Sequence, residues 1–532
     1  MKEIHVIKRN GEKELLNLDK VHAMVEHACN GLAGVSESQV EMNAGLQFFD
    51  GIKTSDIQEI LIRSANDLIS LEAPNYQFAA ARLLLFGLRK AVYNGHPDGH
   101  PPLLEHVKKC VELGVYDSDI LSKYSEEEWE KLNSYIDHDR DFLFTYAGIR
   151  QVADKYLVQD RSTGEVFETP QFMYILVAAT LFQDDDKFYR LEYVKRYYDA
   201  ISKHRLNIPT PIMAGVRTPL RQFASCVLVD VDDTLDSIFS SDMAIGHYVA
   251  QRAGIGINAG RIRGINSKIR GGEVQHTGVV PFLKKFESTV RCCTQNGIRG
   301  GSATVHFPIW HQEIEDIIVL KNNKGTEDNR VRKLDYSIQI SKLFYERFIQ
   351  NGIISLFSPH DVPGLYDAFG TDSFDSLYVD YESDKSVPRK TIRAQELILD
   401  ILKERAETGR LYIMNIDHCN SHSSFKDKVS MSNLCQEITL PTDPIQHIDK
   451  SGEIALCILS AINVGKLKNL DELDELCDLA VRGLDALIDY QEYPVKAAEQ
   501  STINRRSLGV GYIGLAHYLA KNGANYDSTK AH

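Results

Sequence analysis

The chain has 532 residues, 43% of them hydrophobic and 25% charged, with a formal net charge of −14. That length exceeds what one hydrophobic core serves, so about three domains are expected, and the acidic balance argues against a general nucleic-acid or anionic-membrane surface, though local basic pockets can still take nucleotides. No apolar run reaches the length of a membrane span, MKEIHVIKRNGEKE lacks the apolar core of a signal peptide, and nine cysteines without a CxxC pair point to a reducing cytoplasm rather than a disulfide scaffold or zinc ribbon.

In chain order, Ile4 and Val6 alternate with polar residues before Asn10-Gly11, which predicts a β-hairpin. Asn17 predicts the cap of a helix with Leu18, Val21, Val25 and Ala28 on its apolar face. IQEILIRSANDLISL and QFAAARLLLFGLRKAVY predict two more helices. The Pro- and Gly-rich stretch from Asn94 to His106 reads as a linker. Polar helices follow, with charge runs such as YSEEEWEKL as solvated faces. After NIPTPIMAGVRTP, short β-rich runs alternate with helices: ASCVLVDV, LDSIFSSDMAIGHYVAQRAG, GIGINAG. IRAQELILDILKERAETG puts Leu397, Ile398, Ile401 and Leu402 on one helical face, stops at Gly409, and leads into the strand LYIM. NLDELDELCDLAVRGLDALIDY aligns Leu473, Leu476, Ala480, Leu484 and Leu487, with Cys477 read as core. GYIGLAHYLAKNG reads as an amphipathic helix before a polar tail. The alternation of strands and helices argues for an α/β barrel or layered sheet.

SNLCQEITLPT, Ser432 to Thr442, reads as a strand. Asn433, Cys435, Glu437 and Thr439 then share one face, and Leu434, Gln436, Ile438 and Leu440 the other. A carboxylate near a thiol raises the thiol's pKa, which is wrong for a thiolate nucleophile. It suits a thiol that reacts neutral, by giving up a hydrogen atom, beside a carboxylate that takes a proton from substrate. A half-buried strand whose polar face meets solvent is the other reading of this triplet. Cys226 and Cys457 sit in apolar strand-like runs, as inert core or as redox partners of Cys435. Two glycine-rich loops carry arginine: Arg261, Arg263, Lys268 and Arg270 near Gly271-Gly272, and Arg299 beside Gly300-Gly301. Glycine plus arginine suits a phosphate, an ordinary surface turn is the alternative, and neither loop is a Walker or Rossmann fingerprint.

Taken together, SNLCQEITLPT, ASCVLV, GEIALCILSA, GIGINAGRIR, NGIRGGSAT, LFSPHDVPGLYDAF, VLKNNKGTEDNRVR and NRRSLGVG resemble the large, catalytic subunit of class I ribonucleotide reductase, from about residue 4 onward. The resemblance implies an ATP-cone (allosteric activity) domain over 1–92, a helical region over 93–215, and over 216–532 most of a ten-stranded α/β barrel, incomplete at its C-terminal side. It implies that Cys435 becomes a thiyl radical, that Glu437 takes the 3′-hydroxyl proton of a ribonucleoside diphosphate, that Asn433 hydrogen-bonds the substrate, and that Cys226 and Cys457 supply two electrons and close into a disulfide. Thr210 and Ser225 match substrate-holding residues. Asp233, Arg263 and Arg270 match the specificity site for a dNTP or ATP at a homodimer interface, and the loop with Cys293, Gln295 and Arg299 would relay that choice. Lys8, Arg9, Glu14, Asn17, Lys20, Thr54 and Lys90 match nucleotide contacts of the ATP cone. The family often has histidine where this chain has Gln58 and Gly87, a departure that bears on inhibition by dATP.

The family also implies a small radical-generating subunit holding the metallocofactor, and thioredoxin or glutaredoxin as reductant. It implies no metal or covalently bound cofactor in this chain, no DNA or membrane partner, and a cytoplasmic location. Its members extend further, with the last barrel strands, a phosphate loop, two adjacent tyrosines and a C-terminal cysteine pair. The expectation is a split subunit, inactive alone and completed by a second polypeptide, because the five residues Asn433, Cys435, Glu437, Cys226 and Cys457 are all intact. The alternative is a catalytically inactive nucleotide-binding regulatory fragment.

Overall fold

The structure, a computed structural model, describes residues 4–45, 47–93, 96, 99–293, 300–448 and 452–532. It divides into two compact units, one of residues 1–221, 460–490 and 510–532, the other of 222–459 and 491–509.

The first unit opens with the expected hairpin, His5–Ile7 against Lys13–Leu15, turned at Gly11 with φ +86°; Ile52–Lys53 adds a parallel third strand. Asn17 caps the helix Leu18–Cys29 by accepting from the Lys20 amide at 3.2 Å. Val25, Ala28 and Cys29 bury, whereas Leu18 is 61% exposed and lines an open apolar cavity with Leu15, Met42 and Phe48. Helices Thr54–Asp67 and Tyr76–Tyr93 form as their periodicity predicts. A further helix, Glu37–Gly45, buries only Val40 and Ala44, too sparse an apolar period to be read in advance. The helix Leu103–Glu112 starts inside the stretch read as linker, because Leu103, His106, Val107 and Cys110 recur at helical spacing and bury. In Glu472–Tyr490 the residues Leu476, Ala480, Leu484 and Leu487 bury as expected, but Cys477 lies off that stripe and is exposed.

The second unit is α/β. Seven strands pair in the order Leu411–Asn415, Asp335–Ile340, Ala303–Pro308, Gly254–Asn258, Cys226–Asp230, Ala455–Asn463, Leu508–Ile513. The first five run parallel, joined by crossovers that include the helices Leu235–Ala250, Val280–Cys292 and Ala394–Thr408, and Ala455–Asn463 turns antiparallel against Cys226–Asp230. Parallel strands covered on both faces read as continuous apolar runs, and Cys226–Asp230 and Gly254–Asn258 are buried at every position. In the helix Ala394–Thr408, Leu397, Ile398 and Ile401 bury while Leu402 is 44% exposed, one step off the buried stripe; Gly409 ends it at φ +65°. The stretch read as one terminal helix is instead the strand Leu508–Ile513 followed by a short helix, Leu515–Lys521, because Gly509, Gly511 and Gly514 disfavour a helix. Among the described residues, no helix is long and apolar enough to cross a membrane.

Candidate active site and effector sites

Ser432–Thr442 is not a strand. Leu434 and Cys435 form a turn, and Gln436 follows at φ +64°. The backbone here is satisfied by side chains rather than by a ladder. Thr304 Oγ1 donates to the Leu434 carbonyl at 2.6 Å, Ser432 Oγ to the Ile438 carbonyl at 2.6 Å, and the Gln436 amide reaches Ser337. The loop therefore sits against the strands carrying Thr304 and Ser337. Gly256 makes room for it: a Cβ there would overlap the Ser432 carbonyl and lie 2.9 Å from Asn433 Cα.

Asn433, 1% exposed, latches the loop internally, its Oδ1 accepting from the Ile438 amide at 3.1 Å. Its Nδ2 donates to Cys226 Sγ at 3.1 Å, and Cys226 Sγ lies 3.5 Å from both Glu437 Oε1 and Ser225 Oγ. Asn433, Glu437, Ser225 and Cys226 thus meet at one sulfur. Cys435 stands on the turn, exposed to solvent, two residues from Asn433 and from Glu437. Cys457 is the direct cross-strand partner of Cys226. Both thiols lie in an apolar cluster with Leu228, Met431, Ile438 and Ala455. Burial pushes the Cys226 thiol up to about 11, and burial followed by the neighbouring Cys226 pushes Cys457 up to about 12. Both are protonated at neutral pH. Among the described residues, no cluster of three His, Cys, Asp or Glu side chains is placed to hold a metal ion.

Beneath the loop, Asp230 at the far end of the Cys226 strand is fully buried. Its carboxylate accepts from Asn258 Nδ2 at 2.7 Å, Ser430 Oγ at 3.3 Å and Thr442 Oγ1 at 3.4 Å, so one side chain ties both feet of the loop. No motif marks Asp230. The glycines of GIGIN, alternating within a buried strand, were the available sign of close backbone approach at Gly256. Thr210 belongs to the other unit, where its hydroxyl donates to Tyr156 at 3.3 Å and lines a cavity of about 530 Å³ with His204, Asn463 and Lys466.

The residues matched to the specificity site divide. Arg263 and Asp233 are paired: the Arg263 amide and Nε donate to the two carboxylate oxygens at 2.9 and 2.8 Å. Arg270 stands exposed at the turn of a short hairpin, Lys268–Ile269 against Val274–Gln275. Cys293 is half-buried at the end of the helix Val280–Cys292, its Sγ 3.8 Å from that of Cys292. Gln295 and Arg299 lie outside the described residues.

In the N-terminal domain, Glu14 pairs with Lys8 at 2.7 Å, and Lys20 and Lys90 add to the positive field that holds its carboxyl below the usual range. Arg9 reaches the Gly87 carbonyl at 3.4 Å, Asn17 is engaged in the helix cap, and Thr54 opens the following helix. Gln58 and Gly87 face each other. The Gln58 amide donates to the Leu83 carbonyl at 2.6 Å, and a Cβ on Gly87 would come within 3.1 Å of Gln58 Cγ.

Comparison with known proteins adds the family context. Residues 224–532 match the family described as ribonucleotide reductase, barrel domain; residues 142–221 match its all-alpha domain; residues 4–91 match the ATP cone domain. The chain is 56% identical to the ribonucleoside-diphosphate reductase subunit alpha of Haemophilus influenzae, covering 100% of this chain and 71% of that protein. It is 54% identical to the ribonucleoside-diphosphate reductase 1 subunit alpha of Escherichia coli and 44% identical to the subunit alpha of Enterobacteria phage T4, each over 99% of this chain and 70% of the relative.

Proposed function

The chain belongs to the family of ribonucleotide reductase large (α) subunits, and we propose that it performs the chemistry its thiol cluster suits, reducing ribonucleoside diphosphates to 2′-deoxyribonucleotides. The observation that carries this reading is the convergence of Asn433, Glu437 and Cys226 at one sulfur, with Cys457 directly across the strand pair.

In this reading Cys435, as a thiyl radical, takes the 3′-hydrogen atom and becomes a thiol. Glu437 accepts the 3′-hydroxyl proton, and Asn433 orients that hydroxyl. The 2′-hydroxyl leaves as water, with a proton from the Cys226–Cys457 pair. The two thiols give up two electrons and two hydrogens in all and become a disulfide, and Cys435 recovers its radical when it returns the hydrogen to C3′. Neutral thiols serve this, since a hydrogen atom or a proton leaves S–H and not a thiolate, and burial keeps both partners neutral. A metallocofactor in a small partner subunit supplies the radical; thioredoxin or glutaredoxin reopens the disulfide. Ser225, beside the Cys226 sulfur, holds substrate.

Asp233, Arg263 and Arg270 form the specificity site, the loop carrying Cys293, Gln295 and Arg299 relays its choice to the substrate, and the lysines around Glu14 take an ATP-cone nucleotide. The exposed apolar ridge of Leu235, Phe239 and Met243 on one face of the helix Leu235–Ala250 supports a homodimer. The nine cysteines, none of them in a disulfide, suit a reducing cytoplasm.

The test is turnover in the complete complex. Cys435→Ser abolishes deoxynucleotide formation while nucleotide binding persists; Cys226→Ser blocks multiple turnovers. Retained multiple-turnover activity in Cys435→Ser would overturn the reading.

A further inference from the structure

The segment between Ile265 and Val279 carries Lys268, Arg270 and the short hairpin, and both of its ends come to one side chain. The Ile265 amide donates to Glu313 Oε2 at 2.9 Å, and the Val279 amide to both carboxylate oxygens at 3.2 Å. Gly278, at φ +88°, permits this approach: a Cβ there would lie 2.5 Å from Glu313 Oε1. Arg263 is bound to the same segment through its donation to the Lys268 carbonyl at 2.8 Å, as well as to Asp233. The placement of the arginines therefore depends on a clasp at the segment's base. Resting on the reading of Asp233, Arg263 and Arg270 as a specificity site, we infer that Glu313 is a positioning residue for that site, closing the base of the 265–279 segment so that its cationic side chains meet the phosphates of a nucleoside triphosphate.

The clasp titrates. Glu313 is 5% exposed, and burial pushes its carboxyl up to about 7 against the pull of the two amides. The charged and titratable groups around it are Lys284, Asp316, Asp328 and Arg330, which line the adjoining cavity of about 640 Å³, and His311 and His276, which accept from the Glu313 and Gly278 amides. Asp316 adds to the upward push. Ionised, the carboxylate accepts from both ends of the segment. As pH falls through about 7 it takes a proton, one oxygen becomes a donor, and the base of the segment loosens. Effector affinity then scales with the ionised fraction and falls up to about tenfold between pH 8 and pH 6.

The experiment is equilibrium dialysis of the full chain with radiolabelled dTTP between pH 6 and pH 8, for wild type and Glu313→Gln, which stays neutral throughout. Wild type at pH 8 binds about tenfold more tightly than Glu313→Gln, and the two converge toward pH 6. Titration of the dTTP phosphates affects both proteins alike and cancels in their ratio. Gly278→Ala, which crowds the carboxylate from the other side, weakens binding in the same direction. Equal affinities for wild type and Glu313→Gln, or a ratio constant with pH, would overturn the role of Glu313 while leaving the effector site standing. Absence of dTTP binding to wild type would overturn both.

Discussion

Asn433 holds the loop closed with its carbonyl oxygen and touches the Cys226 sulfur with its amide. The amide donor favours the Cys226 thiolate, so Asn433→Ala raises that thiol's pKa further from about 11. In wild type, alkylation of Cys226 and Cys457 by iodoacetamide stays slow through pH 9, about two pH units below the lower of the two values, where about 1% of Cys226 is thiolate. Peptide mass spectrometry against pH checks this, and reaction at pH 8 as fast as a free cysteine would contradict it. The sign follows from burial: the groups lose their protons only as pH rises through 11. How much of this was legible depends on the residue. Cys435, Glu437 and Asn433 stand out as a triplet, and a carboxylate close by is enough to favour a neutral thiol. What the spacing hides is which sulfur the carboxylate meets. In the structure Glu437 hydrogen-bonds Cys226, a residue 211 positions away.

Among elements, the strands Cys226–Asp230 and Ala455–Asn463 are readable because a continuous apolar run carries them. Ser432–Thr442 misleads because Asn-Leu-Cys-Gln-Glu-Ile alternates with the period of a strand. It folds as a turn because its carbonyl and amide partners are Thr304 and Ser337, 130 and 99 residues away, which no local pattern records. Gly256→Ala tests the fit of that loop. The added methyl forces the loop off its strand bed, costs about 1–3 kcal/mol, and lowers both the melting temperature and turnover. Gly511→Ala, with nothing within 4 Å, leaves stability nearly unchanged. The helix pair in the N-terminal domain makes a second test. Gln58 fills the space above Gly87, so Gly87→His destabilises the fold by more than the Gln58→Ala/Gly87→His double change. Thermal melts of the two variants decide it; equal melting temperatures would sink the coupling.

For the whole molecule, the ridge of Leu235, Phe239 and Met243 is 50–59% exposed and recurs every four residues along one helix. Phe239→Glu shifts the sedimentation of the chain from dimer to monomer and weakens dTTP binding with it; a dimer that persists would assign the interface elsewhere. The cross-strand placement of Cys226 and Cys457 has a consequence beyond the proposed supply of electrons. A bond between them joins the antiparallel strand Ala455–Asn463 to its neighbour Cys226–Asp230 and closes a covalent loop that takes in all or part of six of the seven strands. By loop entropy such a link is worth on the order of 5 kcal/mol. On the proposed mechanism each turnover closes that link and each reduction opens it, so that the stiffness of the sheet would follow the redox state of the pair.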